Sequence, residues 1–434
     1  MPNFQPKSSR KGNNSRKEAG ASPVHTSTAG GRSEKSLFLH ADGDSFFVAC
    51  ELTKKPELKG KPVIVGEDRG IAVAMSPEAK KLGVTRGMPT FRIKRLFPEV
   101  VILPHHFDLY NEISEKMRQI LSSYAWEVEG YSIDECFARV KPSEIKYFGG
   151  EKKFLSELKN EIEKTLGVTY SLGLARTKAL AKQASKLEKP GGAVVLLTKK
   201  EETDALKRTP IEEVWGIGRR TVPKLASLGI ATAYDLVNFS ESEISRRFSR
   251  PMLELKKELS GENIFEVESD VDPRGQKSIQ ATATFRPASA DPKVIWRELC
   301  KNAEDACEHA REIRLVSNKI SFFVKSSEFK YREGGVKLPL FSSDPGIVLN
   351  AIEPEFPKLL KKKERIRSTG VILENLTREE KVPLDLFGRQ KEALKRSSVE
   401  ETADKIRQKF GKDSIKRASS LGKKSAIAIR KHLL

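Results

Sequence analysis

Two pairs of acids could do chemistry together. Asp42 and Asp44 flank Gly43 at the end of the short apolar run Ser36-Leu37-Phe38-Leu39-His40, and Asp134 with Glu135 lies inside Tyr131-Ser132-Ile133-Asp134-Glu135-Cys136-Phe137. Carboxylates that converge from separate segments can hold two Mg²⁺ ions about 4 Å apart, one activating a hydroxyl nucleophile and both stabilising charge displaced onto a phosphate. Nucleotidyl transfer uses such a set. Because strand side chains alternate between faces, neighbouring acids share an ion only where the strand turns or bulges. Read singly, the first pair is also a turn former and the second an exposed strand end.

The elements that must position these acids are legible in the patterning. The run before Asp42 reads as a strand, and Phe46-Phe47-Val48-Ala49-Cys50 as a helix start. Lys61 to Val65 and Ile71 to Met75 read as paired strands. In the segment Ser76-Pro77-Glu78-Ala79-Lys80-Lys81-Leu82-Gly83, Ser76 suits an N-cap, Pro77 the first helical position and Gly83 the stop. A helix near Leu109 to Leu121 leads to a strand pair around Tyr131 to Val140, and Tyr170 to Leu174 feeds a helix over Lys178 to Leu187. This alternation predicts an α+β core. Pro210 to about Phe265 reads as all helix. Residues 277–378 mix strand-like runs (Ser278 to Phe285, Lys319 to Lys325, Arg367 to Leu373) with two helical segments, behind a linker containing Asp270, Asp272, Pro273 and Gly275.

The chain has 434 residues, enough for roughly three or four modules. Its 79 Lys+Arg against 59 Asp+Glu give a net charge of +20, which favours a polyanion partner through counterion release. Charge of this kind also describes a solvated surface, so the motifs decide. Cys50, Cys136, Cys300 and Cys307 lack zinc-site spacing even with His309 nearby, and are read as reduced cytosolic thiols. No run of about 18 apolar residues and no apolar leader core is seen, which predicts a cytoplasmic protein with no membrane partner. Residues 1–34 are too poor in aliphatic side chains to offset ordering entropy, and read as a basic disordered arm.

Three motifs in register resemble the Y-family DNA polymerases: His40-Ala41-Asp42-Gly43-Asp44-Ser45-Phe46-Phe47, Tyr131-Ser132-Ile133-Asp134-Glu135, and Gly173-Leu174-Ala175-Arg176-Thr177-Lys178-Ala179-Leu180-Ala181-Lys182. The resemblance runs from about Leu37 to about Leu373. It implies that Asp42, Asp134 and Glu135 are the catalytic metal carboxylates for two Mg²⁺ ions, with the carbonyl of Gly43 as a further ligand and Asp44 in support. It implies that Ser45, Phe46, Phe47, Lys80 and Lys182 meet the incoming dNTP, and that the ring of Phe47 is the steric gate against a ribose 2′-hydroxyl. Phe47 is equally readable as a core aromatic, and Lys182 as a solvated lysine.

One departure weakens the expected nucleotide grip. Where many relatives carry Tyr-Glu-Ala-Arg over the phosphates, this chain has Pro77-Glu78-Ala79-Lys80, which loses a phenol and exchanges a bidentate guanidinium for a simple cation. Ala79-Lys80 and the Pro210 to Arg220 segment look like the polymerase V branch, whereas Asp42 to Phe47 looks like polymerase IV, so the branch stays open. The turn Trp215-Gly216-Ile217-Gly218-Arg219-Arg220 resembles a helix–hairpin–helix, implying sequence-independent DNA phosphate contacts by Gly216, Gly218, Arg219 and Arg220. In the tail, Pro383-Leu384-Asp385-Leu386-Phe387 resembles a sliding-clamp peptide anchored by Leu384, Leu386 and Phe387; the alternative is a stretch packed on the chain's own surface.

The expected architecture is therefore an α+β multidomain right hand. A basic arm occupies 1–34, the palm 35–45 and 107–190, the fingers 46–106, the thumb 191–265, a linker 266–276, the little finger 277–378 and a basic tail 379–434. The expected activity is template-directed addition of dNMPs to a primer 3′ end, low-fidelity synthesis past damaged bases, with no segment left for proofreading. The expected partners are primer-template DNA, dNTPs, a sliding clamp and a mutasome accessory protein, around a monomeric, nucleoid-associated enzyme. The alternative is a non-catalytic DNA-binding scaffold with a polymerase-like fold.

Overall fold

The computed structural model describes residues 36–67, 70–269, 276–382, 389–411, 414–418 and 429–432, with 389, 391–398 and 429–432 by backbone only. Its first unit is a five-stranded sheet in the order Glu127–Gly130, Glu135–Val140, Leu37–Gly43, Tyr170–Ala175, Ala193–Leu196. The central strand Leu37–Gly43 is antiparallel to both neighbours, and only the last pair is parallel. Strand alternation sends Leu39 and Ala41 into a core with the helices Phe107–Tyr124 and Glu151–Leu166, where Tyr110, Met117, Phe154 and Leu158 are buried. The opposite face, with Phe38, receives the helix Lys178–Leu187. Thr177 caps that helix by accepting from the Leu180 amide at 3.3 Å. Gly173 lets it approach closely: a Cβ there would lie 2.2 Å from the Ala181 carbonyl oxygen and 2.4 Å from the Ser185 nitrogen.

Residues between the first strand and Phe107 form an inserted unit. Its small sheet orders Ala74–Met75, Val63–Val65, Val101–Leu103, with Ile64 opposite Met75. The paired strands expected around Val65 and Met75 are present but shorter. Ser76 caps the helix Pro77–Lys81 by accepting from the Ala79 amide at 3.2 Å, with Pro77 at the first position. From Lys199–Arg208 through Val222–Ala226, Ala233–Asn238, Glu241–Arg247 and Arg250–Ser260 the chain is helical, on a core of Leu225, Leu236, Ile244 and Leu255.

The C-terminal unit is a second five-stranded sheet, antiparallel throughout, in the order Tyr331–Ser342, Leu315–Ser326, Ile366–Arg378, Ser278–Ser289, Ile429–His432. Helices Pro292–Glu312 and Pro345–Ile352 cover one face. Where the sequence reads as a basic tail over 379–434, the structure adds a helix, Arg389–Phe410, and the edge strand Ile429–His432. The helix is anchored by ion pairing: buried Arg311 donates to both oxygens of Asp404 at 2.6 and 3.0 Å, and Arg407 donates to Asp404 at 2.6 Å. Among the described residues, no helix is long and apolar enough to cross a membrane.

Candidate active site

Antiparallel register places Asp42 directly opposite Glu135. Both side chains therefore rise on the same face, together with His40 two residues earlier. One ligand atom from each of His40, Asp42 and Glu135 lies within 4.8 Å of the others. Asp134 precedes the strand. Its carbonyl accepts from the Gly43 amide at 2.9 Å, which pins the two acidic segments together, while its carboxylate accepts from the Ser132 hydroxyl at 2.5 Å and is not part of the close set. Asp44 is held by other donors: it accepts from Ser171 Oγ at 2.9 Å and from the Gly191 amide at 2.7 Å. Burial raises its pKa, and those two donors oppose the rise.

The acids are neutralised by lysines. Lys182 donates to Glu135 at 2.6 Å, and Lys189 pairs with Asp42 and stands 4.0 Å from Asp44. Burial lifts the Glu135 carboxyl above its ordinary range, against the pull of the Lys182 ammonium. Lys182 is only 6% exposed and sits under the rings of Tyr131 and Trp215, 4.6 and 5.5 Å from their centroids. The lysine expected at the triphosphate thus has its ammonium on Glu135, beneath two aromatic rings. The cation that the sequence reading missed is Lys189, whose side chain is 32% exposed beside Asp42. It follows the helix Lys178–Leu187, in a Lys-Pro-Gly-Gly stretch that carries no periodic signal.

His40 is fully buried. Ser185 spends its hydroxyl proton on the Lys182 carbonyl at 2.9 Å, so its oxygen accepts from His40 Nδ1–H at 2.7 Å. The imidazole is held neutral, chiefly by burial and then by the surrounding lysines, and its Nε2 presents a lone pair without a donor among the described residues.

At the start of helix Phe46–Lys54 the two phenylalanines separate. Phe46 is 3% exposed, in edge contact with Tyr110 and Tyr170, so its ring belongs to the core. Phe47 is half-buried and stacks on Tyr110 at 4.5 Å and 14°, with Phe107 edge-on. Tyr110 is itself fixed by donating to buried Glu51 at 2.5 Å. Ser45 adopts φ 50, and Lys80 from the inserted unit donates to its hydroxyl at 3.4 Å. Those two expected nucleotide contacts are thus neighbours. Gly216, at φ 85, and Gly218, Arg219 and Arg220 form an exposed loop. The Trp215 indole donates to the Tyr131 hydroxyl at 3.0 Å and ties that loop to the acidic segment. Leu384, Leu386 and Phe387 lie outside the described residues.

Residues 41–186 match the profile of the impB/mucB/samB family, residues 276–386 that family's C-terminal domain, and residues 199–230 its HHH motif. Protein ImpB of Salmonella typhimurium is 31% identical, over 79% of this chain and 83% of its own length. A DNA polymerase IV of Methanoculleus marisnigri is 33% identical over 73% and 88%, and one of Desulfatibacillum aliphaticivorans 29% over 89% and 97%. The fold is shared with a solved Y-family DNA polymerase chimera of Dbh and Dpo4, with a TM-score of 0.68 at 24% identity, over 79% of this chain and 99% of that one. With the family profiles spanning more than half of the residues, and acids from two adjacent strands meeting at one corner of the sheet, the chain belongs to the impB/mucB/samB family of Y-family translesion DNA polymerases.

Proposed function

We propose that the chain extends primer 3′ ends on a DNA template with dNTPs, and that Asp42, Asp134, Glu135 and the Gly43 carbonyl hold two Mg²⁺ ions for the transfer. The observation that carries this reading is the register of Asp42 against Glu135, with Asp134 drawn to the same corner through its carbonyl. An all-oxygen donor set of this kind suits a hard divalent cation. When bound, the ions activate the primer hydroxyl and stabilise the charge passing to pyrophosphate.

The chain's own residues do the rest. Lys189, partly exposed at Asp42, supplies a point charge for the triphosphate, and Lys80 with Ser45 supplies another polar contact from the opposite side of the turn. Lys182, held against Glu135, is a second point charge for the triphosphate. The stacked and therefore rigid ring of Phe47 acts as the sugar gate. Gly216, Gly218, Arg219 and Arg220 hold the duplex through its phosphates without reading sequence. Palm, fingers, thumb and little finger take the boundaries 35–45 with 107–190, 46–106, 191–265 and 277–378. Leu384, Leu386 and Phe387 recruit a sliding clamp, a mutasome accessory protein is a second partner, and the enzyme works as a monomer on the nucleoid in the cytoplasm.

The test is primer extension on undamaged and abasic templates with Mg²⁺ and all four dNTPs. Wild type should extend both, and Asp42→Ala and Asp134→Ala/Glu135→Ala should extend neither while still binding DNA. Extension by either variant would remove the metal role from the acids it lacks.

A further inference from the structure

The hairpin joining Leu315–Ser326 to Tyr331–Ser342 carries two aromatic side chains in the open. Phe329 and Tyr331 are 60% and 62% exposed, among the most exposed large side chains described. Neither is loose. The Lys325 ammonium lies 4.9 Å from the Phe329 centroid and 4.5 Å from that of Tyr331, and the Arg367 guanidinium lies 4.4 Å from Phe329. The turn is closed by the Ser326 amide on the Lys330 carbonyl at 3.0 Å, and its Ser327 amide is tied to the Arg365 carbonyl at 2.9 Å. Phe329 itself sits at φ 66, a left-handed conformation that a bulky residue adopts only at a cost. Folding thus holds an apolar ring outward, in water, against both its burial preference and its backbone preference.

The surroundings say what would cover it. Ser327 ties this turn to the next one, where Lys361, Lys362 and Lys363 are all exposed. Of the acids nearby, Glu328 pairs with Lys330 at 2.8 Å and Glu364 is bound by Arg332, while Glu333 lies exposed two residues beyond Tyr331. Two exposed aromatic rings beside cations that hold no carboxylate among the described residues match a strand that offers both π-faces and phosphates. In a duplex the base faces are already stacked on one another, so only an unpaired strand can use the rings.

We propose that Phe329 and Tyr331, flanked by Lys325, Arg367 and the Lys361 to Lys363 turn, form a stacking platform for unpaired nucleic acid, the single-stranded template beyond the primer end. This deepens the polymerase reading and rests on it. The platform takes any base, because every base has a π-face, and it holds a damaged strand as readily as an intact one so long as rings remain to stack.

Fluorescence anisotropy with the full chain tests it without catalysis. The probes are a labelled blunt duplex, the same duplex with a ten-nucleotide 5′ thymidine overhang, and the same overhang built from abasic sites. The thymidine overhang should tighten binding by about fivefold or more for each stacked base, and the abasic overhang by much less. Phe329→Ala/Tyr331→Ala should lose the thymidine gain and keep blunt-duplex affinity, which also reports that the variant is folded; Phe329→Trp should keep the gain. Equal gain on abasic and thymidine overhangs, or a gain that survives in the double alanine variant, would overturn the platform alone. Failure of wild type to bind any of the three DNAs would overturn the polymerase reading with it.

Discussion

Adding one methyl group at Gly173 should damage the active site from behind. The new Cβ would stand 2.2 Å from the Ala181 oxygen and 2.4 Å from the Ser185 nitrogen, both backbone atoms of helix Lys178–Leu187 that no rotamer change can move. Carbon and oxygen settle no closer than about 3.3 Å, so the helix must retreat by about 1 Å. Overpacking of this kind costs typically 1–3 kcal/mol, and rigid obstructing atoms argue for the upper end; a smaller loss of unfolded-state entropy, about 0.4–1 kcal/mol, works in the opposite direction. Gly173→Ala should therefore lose about 2 kcal/mol in urea unfolding. Single-nucleotide insertion should suffer more, because the same helix carries Lys182 and Ser185, which hold Glu135 and His40; a misplacement near 1 Å costs on the order of 100-fold in rate. Gly335→Ala is the control, since its Cβ would meet only the Ile320 oxygen at 3.8 Å. If Gly173→Ala matched wild type in both midpoint and insertion rate, the helix would not be the element that positions the acids.

Phe47→Ala should raise ribonucleotide incorporation relative to deoxyribonucleotide by roughly 100-fold in a competition extension assay; an unchanged ratio would exclude the ring as gate. Lys178→Met leaves Glu129 buried without the ammonium now 2.6 Å away, and should lower the unfolding free energy by about 3–5 kcal/mol, with a change below about 1 kcal/mol counting against a buried pair. Arg311→Met should free the helix Arg389–Phe410 from its anchor, so that limited proteolysis cuts there first while the rest of the chain survives; equal protection would show that Asp404 does not hold the helix.

The site was legible where chemistry and periodicity agree. Asp42 and Glu135 stand at the ends of apolar alternating runs, and their pairing follows once the two strands are antiparallel neighbours. The surroundings of Lys182 and the presence of Lys189 beside Asp42 were not legible, because burial is set by distant residues: the aromatic ceiling over Lys182 is built from Tyr131 and Trp215, 51 and 33 residues away in opposite directions along the chain. Phe46 and Phe47 are adjacent and identical; only the helix geometry sends one into the core and the other toward Tyr110. The helix Lys178–Leu187 was read with its observed ends, since Thr177 caps it and small residues mark its packed face. The strand Tyr331–Ser342 and the helix Arg389–Phe410 escaped notice for the same reason in two forms: glycines and charges dilute the strand pattern, and the helix sequence is charged, with Asp404 held by Arg311.

The strand order of the first sheet also sets a timetable for synthesis. Leu37–Gly43 is made first, yet its neighbours are Glu135–Val140 and Tyr170–Ala175, while the inserted sheet is complete once Leu103 has emerged. At ribosomal speeds of about 5–20 residues per second, Asp42 waits roughly 5–20 s for Glu135 to be made, roughly ninety residues later. For that interval an apolar strand has both edges open, and the nascent chain depends on the inserted unit or on chaperones to keep it from pairing elsewhere.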